Sequence, residues 1–172
     1  SVGTTSRDHK EQTDLLEGVE KLWDLGFVVV AAAGNQGPGA GTVTAPGSSR
    51  KIITVGSSDL LTGRTAISGR GPTFECICKP DLVAPGVDIT SCAVGGGYES
   101  RSGTSMAAPF VSGSCALLMQ WGILQNNDPF LYGEKMKAYL IRGARQLPFS
   151  VSYPNPQSGY GALCVSSSLT FV

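Results

Sequence analysis

The sequence predicts an α/β fold built on a mainly parallel sheet that helices cover on both faces. Residues 27–33 form a continuous apolar run, rich in β-branched side chains and bounded by glycines, as expected of a strand buried on both faces. Residues 51–56 repeat this pattern. Before the first run, apolar side chains recur at three- and four-residue spacing, which is typical of an amphipathic helix, at Leu15, Leu16, Val19, Leu22 and Trp23.

The composition limits the classes of partner. The 172 residues suffice for one compact domain, and no repeat or linker divides residues 1–172. Lys and Arg together number 13, as do Asp and Glu, so the net charge of zero favours neither nucleic acid nor an anionic membrane. No apolar run predicts a membrane-spanning helix. We therefore expect no nucleic-acid partner and no membrane partner.

The cysteine and histidine content argues against a metal centre. The chain has five cysteines, an odd number that leaves at least one thiol unpaired. Cys76 and Cys78 are one residue apart, too close for the usual zinc knuckle, and the single histidine, His9, lies far away in the sequence. We expect no metal site and no other cofactor. The unpaired cysteines favour a reducing compartment.

The remaining elements are predicted from glycine, proline and apolar patterns. In order, they are a helix end at Gly26, extended segments at 80–86 and 87–92, a glycine turn at 95–97, a buried helix at 110–119 closed by Trp121-Gly122, a helix from Asp128 to Gly143, and a short helix or strand ending near Val172.

The segment before the most apolar helix has the chemistry of a nucleophile site. It reads Gly103-Thr104-Ser105-Met106-Ala107-Ala108-Pro109. Gly103 permits a turn that a β-carbon forbids, and the Thr104 oxygen suits a helix cap. Ser105 would then lie in the first turn, where free N–H groups favour negative charge. Its hydroxyl could act as a nucleophile beside a ready oxyanion donor. An ordinary capped helix N-terminus is the alternative.

A second polar side chain follows the first predicted strand. Asn35 lies in the loop 34–39, Gly-Asn-Gln-Gly-Pro-Gly. Open α/β sheets bind their ligands at the carboxyl ends of parallel strands, so Asn35 is a candidate site residue. The alternative is a turn residue, since Asn and Gly are common in turns.

Together these blocks resemble the subtilisin-like serine proteases, or subtilases. Val-Val-Val-Ala-Ala-Ala-Gly-Asn at 28–35 is similar to the strand and loop that carry the family's oxyanion asparagine. Asp-Leu-Val-Ala-Pro-Gly at 81–86 and the block at 103–109 are similar to two further family motifs, the second being the nucleophile signature. Gly-Tyr-Gly at 159–161 resembles a closing motif. The resemblance implies a three-layer, mainly parallel subtilisin-like sheet with helices on both faces, present here in part.

The resemblance also implies roles for individual residues. Ser105 would be the nucleophile, and the Asn35 amide and the Ser105 backbone N–H would hold the oxyanion, with Thr104 assisting. Thr44 stands where many subtilases have glycine at the pocket floor, so it should disfavour large aromatic residues. The walls that bind substrate would comprise Ala32, Ala33 and Gly34 on one side and Ser1, Val2 and Gly3 on the other.

The sequence departs from the family in lacking two motifs, the Asp block and the His-Gly-Thr block. His9 is followed by Lys10-Glu11 and does not match the catalytic histidine. Asp8, Asp14 and Asp81 do not match the orienting aspartate. Without a base Ser105 is a weak nucleophile, so this chain alone is expected to be inactive.

We therefore expect residues 1–172 to be the C-terminal portion of a subtilase catalytic domain whose parent is an endopeptidase. Its partners would be a peptide or protein substrate and the remainder of the parent catalytic domain. Removing the first strands of a parallel sheet exposes an edge and invites self-association. A non-catalytic part that binds peptides or a partner is the alternative. Subtilases are usually secreted, whereas the cysteines favour a reducing compartment.

Overall fold

A computed structural model describes residues 3–5, 9–59, 62, 67–148, 150 and 152–170. The described elements comprise one helix, then five strands, then the remaining helical segments. In order, they are α1 His9–Asp24, β1 Val30–Ala32, β2 Ile53–Ser58, β3 Leu82–Pro85, β4 Ile89–Cys92, β5 Tyr98–Arg101, α2 Thr104–Met119, a π-helical turn Gln120–Leu124, α3 Gly133–Gly143 and α4 Val165–Thr170.

The first three strands form a parallel sheet in the order β1-β2-β3. All six residues of the central strand β2 are buried. Ile53 and Val55 join the hydrophobic core, whereas the Thr54 hydroxyl donates to the Gly47 carbonyl on the opposite face. This alternation follows from the two-residue period of a strand, and it shows that both faces of β2 are covered.

Helix α2 lies across all three strands. With the π-helical turn it is continuous over Thr104–Leu124, 21 residues with a mean hydropathy of 1.4, a length and composition that would also suit a membrane span. Burial against the sheet explains the apolar content, because Val111, Cys115 and Leu118 are core residues. The helix passes Trp121-Gly122, where the sequence predicts its end.

One side of α2 differs from the prediction of a buried helix. Phe110 is 42% exposed and Leu117 is 56% exposed, so part of the helix surface is apolar and open to solvent. The predicted strand 27–33 is also shorter, at Val30–Ala32. Phe27, the first residue of the predicted strand, still belongs to the turn that ends α1, since its N–H donates to the Leu22 carbonyl.

A buried ionic cluster lies at the amino end of β3. Asp81 is 5% exposed and receives Lys79 Nζ at 2.6 Å and the Thr54 N–H at 2.7 Å on Oδ2. Lys137 of α3 approaches its Oδ1 at 3.1 Å. Burial lowers the pKa of Lys79 to about 8 although Asp81 opposes the shift. Asp81 therefore joins α3 to the sheet and does not face Ser105, which lies beyond the other end of β3.

Candidate active site

The carboxyl ends of β1 and β3 meet the amino end of α2. The Gly103 N–H donates to the carbonyl of Gly86, which follows β3, at 2.7 Å. Asn35 follows β1 by three residues and reaches the first residue of α2. The structure thus brings Asn35 and Ser105 to one edge of the sheet, the edge at which open α/β folds bind ligands.

Thr104 holds the Asn35 carboxamide in one orientation. Its backbone N–H donates to Asn35 Oδ1 at 2.9 Å, and its hydroxyl donates to the same oxygen at 3.0 Å. A backbone N–H can only donate, so the atom that it meets must be the oxygen. Asn35 Nδ2 is therefore the free end of the amide, and the side chain is exposed.

The Thr104 hydroxyl also accepts a hydrogen bond from the Gly34 N–H at 3.2 Å. Thr104 itself is fully buried, whereas Gly34 is half-buried and Asn35 is exposed. The sequence predicts that Thr104 caps its own helix, and this prediction is wrong. The N-cap is Gly103, which has no side chain, and the first N–H of α2 is satisfied by Asn35, 69 residues away.

Two glycines allow this close packing. Gly103 has φ +150°, and a β-carbon there would lie 3.2 Å from Asn35 Nδ2. Gly34 has φ +92°, and a β-carbon there would clash with Thr44 Oγ1. Both backbone angles are strained for residues with a β-carbon, so larger residues at either position would displace Asn35 or Thr44.

A cavity of about 180 Å³ opens between these groups. Seven of the nine residues that line it are predicted site residues, and none of the nine carries an ionisable group: Gly3, Thr5, Ala32, Gly34, Asn35, Gln36, Thr44, Thr104 and Ser105. Ala33 does not line it, because successive strand side chains alternate and its own is fully buried. Ser1 and Val2 lie outside the described residues.

Ser105 occupies the first turn of α2 and is half-buried at the cavity. Within the described part of the chain, neither its backbone N–H nor its hydroxyl has a hydrogen-bond partner. The N–H and Asn35 Nδ2 are thus two donors available beside one hydroxyl. Both residues line the cavity at the amino end of α2, where the helix dipole favours negative charge.

Sequence reasoning missed two residues that line the cavity, Thr5 and Gln36. Gln36 follows Asn35 directly, so its place in the same loop was a usable signal. Thr5 reaches the cavity because Thr4 pairs with Ala45, a bridge between segments about 40 residues apart. No local pattern predicts such a bridge.

The fold and this geometry define a subtilase. Residues 1–162 match the Subtilase family, peptidase family S8, and the chain belongs to it. Serine protease AprX of Bacillus subtilis (strain 168) is 38% identical over 157 residues, covering 79% of this chain and 34% of AprX. The human membrane-bound transcription factor site-1 protease is 34% identical over 139 residues, covering 76% of this chain and 13% of that protein.

Solved structures agree. The CspB protease of Clostridium perfringens superposes with a TM-score of 0.73 at 48% identity, over 77% of this chain and 29% of CspB. The prenylagaramide maturation protease PagA superposes with a TM-score of 0.79 at 26% identity, over 98% of this chain and 59% of PagA. The predicted fold class and family are confirmed. The chain spans about a third or less of AprX, the site-1 protease and CspB.

Proposed function

We propose that this chain carries the nucleophile and the oxyanion hole of a serine endopeptidase. Ser105 Oγ attacks the carbonyl carbon of a peptide bond while a base takes its proton. The tetrahedral oxyanion is held by Asn35 Nδ2 and the Ser105 N–H. Collapse expels the amine with a proton and leaves an acyl group on Ser105, which water then releases as a carboxylic acid.

The orientation of Asn35 is the observation that carries this proposal. Both hydrogen bonds from Thr104 end on Oδ1, so Nδ2 is held free without any substrate present. A donor fixed in advance requires no reorganisation when charge develops on the substrate. A turn asparagine with no catalytic role would not need its oxygen held twice by a helix distant in sequence.

We propose that the base and its orienting acid come from a part of the catalytic domain outside residues 1–172. No residue lining the cavity can take a proton at neutral pH. The side chain of His9 lies outside the described residues, and its sequence context does not match the family histidine. The chain spans 34% of AprX. A longer protein of that kind could therefore carry the Asp and His-Gly-Thr motifs outside residues 1–172.

We propose that the part of the catalytic domain that carries the base packs against an apolar groove beside β1. β1 pairs only with β2 among the described strands, so its outer edge is open. A groove of about 280 Å³ runs between this edge and α2, lined by Val28 and Val30 on one side and Ser112 and Ala116 on the other. Left uncovered, an apolar edge of this kind also favours pairing of two copies.

We propose that the peptide residue before the scissile bond enters the cavity at Ser105. Ala32 and Gly34 form one wall, Gly3 lies on the facing segment, and Thr44 fills part of the floor against Gly34. The Thr4 N–H bond to the Ala45 carbonyl, 3.0 Å, holds the facing segment extended. An extended segment of this kind can pair with a substrate backbone by strand addition.

The alternative function is peptide or partner binding without catalysis. The observation that favours it is the absence of an ionisable side chain among the residues lining the cavity. The two functions differ in whether Ser105 reacts when the rest of the catalytic domain is present. A binding protein would hydrolyse no peptide as the wild type, and its Ser105→Ala variant would bind peptides with unchanged affinity.

A fluorophosphonate probe tests the proposal. The protease that contains residues 1–172 together with the proposed histidine and aspartate should be labelled at Ser105, and Ser105→Ala should remove the label. Residues 1–172 alone should label far more slowly, because they lack the base. Rapid labelling of these residues alone would refute the proposed division of the site, and no labelling of the longer protein would favour the binding function.

The oxyanion role is tested separately by Asn35→Ala in the active protein. We expect kcat to fall by about 10²–10³, the range found when a subtilase loses such a donor, with KM little changed. Asn127→Ala is the matched control, because Asn127 is an exposed amide outside the cavity lining. Equal kcat in the two variants would exclude Asn35 from the oxyanion hole.

A further inference from the structure

A second cavity shares the Asn35 loop with the candidate active site. Its volume is about 410 Å³, within the size range of small-molecule sites. Gly34, Asn35 and Gln36 line the first cavity, and Pro38 and Ala40, further along the same loop, line the second. Its remaining walls include Arg70, Pro72 and the described residues 150, 152 and 155–157.

Arg70 is the ionisable residue of this cavity. No acidic side chain lines the cavity with it. Its Nε is buried and has no hydrogen-bond partner, and the side chain forms no ion pair among the described residues. A buried donor left without an acceptor destabilises a protein. The terminal guanidinium nitrogens are not buried and have no partner among the described residues, so they are available to an anion in the cavity.

The backbone that carries Arg70 is fixed on both sides. The Arg70 N–H donates to Thr42 Oγ1 at 3.0 Å, and its carbonyl accepts the Thr42 N–H at 2.8 Å. The next N–H, of Gly71, is shared between the carbonyls of Lys79 at 2.8 Å and Pro156 at 3.0 Å. The backbone that carries the guanidinium is thus fixed, which lowers the entropy lost when a ligand binds.

We propose that this cavity binds a carboxylate with a small apolar body, held by the Arg70 guanidinium. The planar fork of arginine matches the two oxygens of a carboxylate. Pro38, Pro72, Pro156 and Ala40 supply rigid apolar walls for the attached group. Ser150, Ser152, Asn155 and Gln157 add neutral polar groups to the lining, and Arg70 supplies its positive charge alone. One guanidinium balances a singly charged carboxylate better than it balances a doubly charged phosphate.

The test uses N-acetyl-leucine as the probe and N-acetyl-leucinamide as its neutral match. In NMR titrations of the chain, the acid should shift the Arg70 Nε–H resonance and saturate, whereas the amide should not. Arg70→Gln should weaken binding of the acid by about tenfold or more, since a charged bidentate contact is lost. Arg101→Gln is the matched control, because Arg101 is exposed and pairs with Glu99.

Unfolding experiments separate this role from a structural one. Because Arg70 Nε has no partner, Arg70→Gln should unfold in urea at the same or a higher midpoint without ligand. N-acetyl-leucine should raise the midpoint of the wild type and leave that of Arg70→Gln unchanged. A lower midpoint for Arg70→Gln without ligand would assign Arg70 a structural role and overturn the proposal.

Other outcomes also decide the question. Equal binding of acid and amide, tighter binding of inorganic phosphate, or no shift of the Nε–H resonance would each refute a carboxylate site. A free acid and the C-terminus of a polypeptide share this chemistry. Preference for an N-acetylated tripeptide acid over N-acetyl-leucine would identify a polypeptide C-terminus, and the reverse would identify a small acid. Binding should be unchanged in Ser105→Ala, so the result does not depend on the proposed hydrolysis.

Discussion

Replacing Thr104 by valine should destabilise the chain without changing the shape of the residue. Valine keeps the volume of threonine but exchanges the hydroxyl for a methyl group. The Gly34 N–H, 3.2 Å from that hydroxyl, loses its acceptor, and Asn35 Oδ1 keeps only the Thr104 N–H at 2.9 Å. Thr104 is fully buried, so no water can take the place of its hydroxyl, although the exposed Asn35 can still meet solvent.

The expected cost follows from these two contacts. A buried donor left without a partner costs about 1–3 kcal/mol, and the second lost hydrogen bond adds about 1 kcal/mol, so Thr104→Val should lose roughly 2–4 kcal/mol. Thr104→Ser keeps the hydroxyl and removes one methyl group, which costs about 1 kcal/mol. Urea unfolding of both variants should therefore rank serine above valine in stability, with m unchanged.

The same pair of variants tests the link to catalysis. With one of its two anchoring bonds lost, the Asn35 amide should be less well positioned, and kcat in the active protein should fall about fivefold in Thr104→Val, since one hydrogen bond is worth about 1 kcal/mol. Thr104→Ser should stay within about twofold of the wild type. A serine variant less stable than the valine variant, or equal kcat in the two, would refute the positioning role.

Three further outcomes are expected. Thr44→Gly should enlarge the cavity floor and raise kcat/KM for peptides with Phe at the residue before the cleaved bond by about tenfold relative to Ala, measured on a matched peptide series; an unchanged ratio would remove Thr44 from the pocket. Burial lowers the pKa of Lys79 to about 8, so the unfolded chain binds this proton more tightly, and the free energy of unfolding should rise by up to about 3 kcal/mol from pH 8 to pH 10.5. Lys79→Met should flatten that rise in urea titrations. Ala116→Glu should reduce self-association in sedimentation experiments, whereas Val94→Glu, at a fully exposed position outside the groove, should not.

How far the sequence predicts the fold depends on how local the determining signal is. The apolar run at 51–56 predicted β2 because a strand covered on both faces needs apolar side chains at nearly every position. β5 was missed because Tyr98–Arg101 is mostly exposed, so its sequence has no burial pattern. Its pairing with β4 depends on the turn at 93–97, whose three glycines all have positive φ.

In the candidate site, too, local signals were predicted from the sequence and contacts between distant segments were not. Ser105 was predicted because a serine at the start of an apolar helix has a local chemical meaning, and Asn35 because it follows a predicted parallel strand. The family motifs then supported both predictions. The contact that orients the Asn35 amide is not local, since it joins Thr104 to a loop 69 residues earlier. Thr104 was accordingly given the wrong partner, its own helix. A helix N-terminus has several free N–H groups. The side chain that accepts their hydrogen bonds is decided by packing between segments that are distant in sequence.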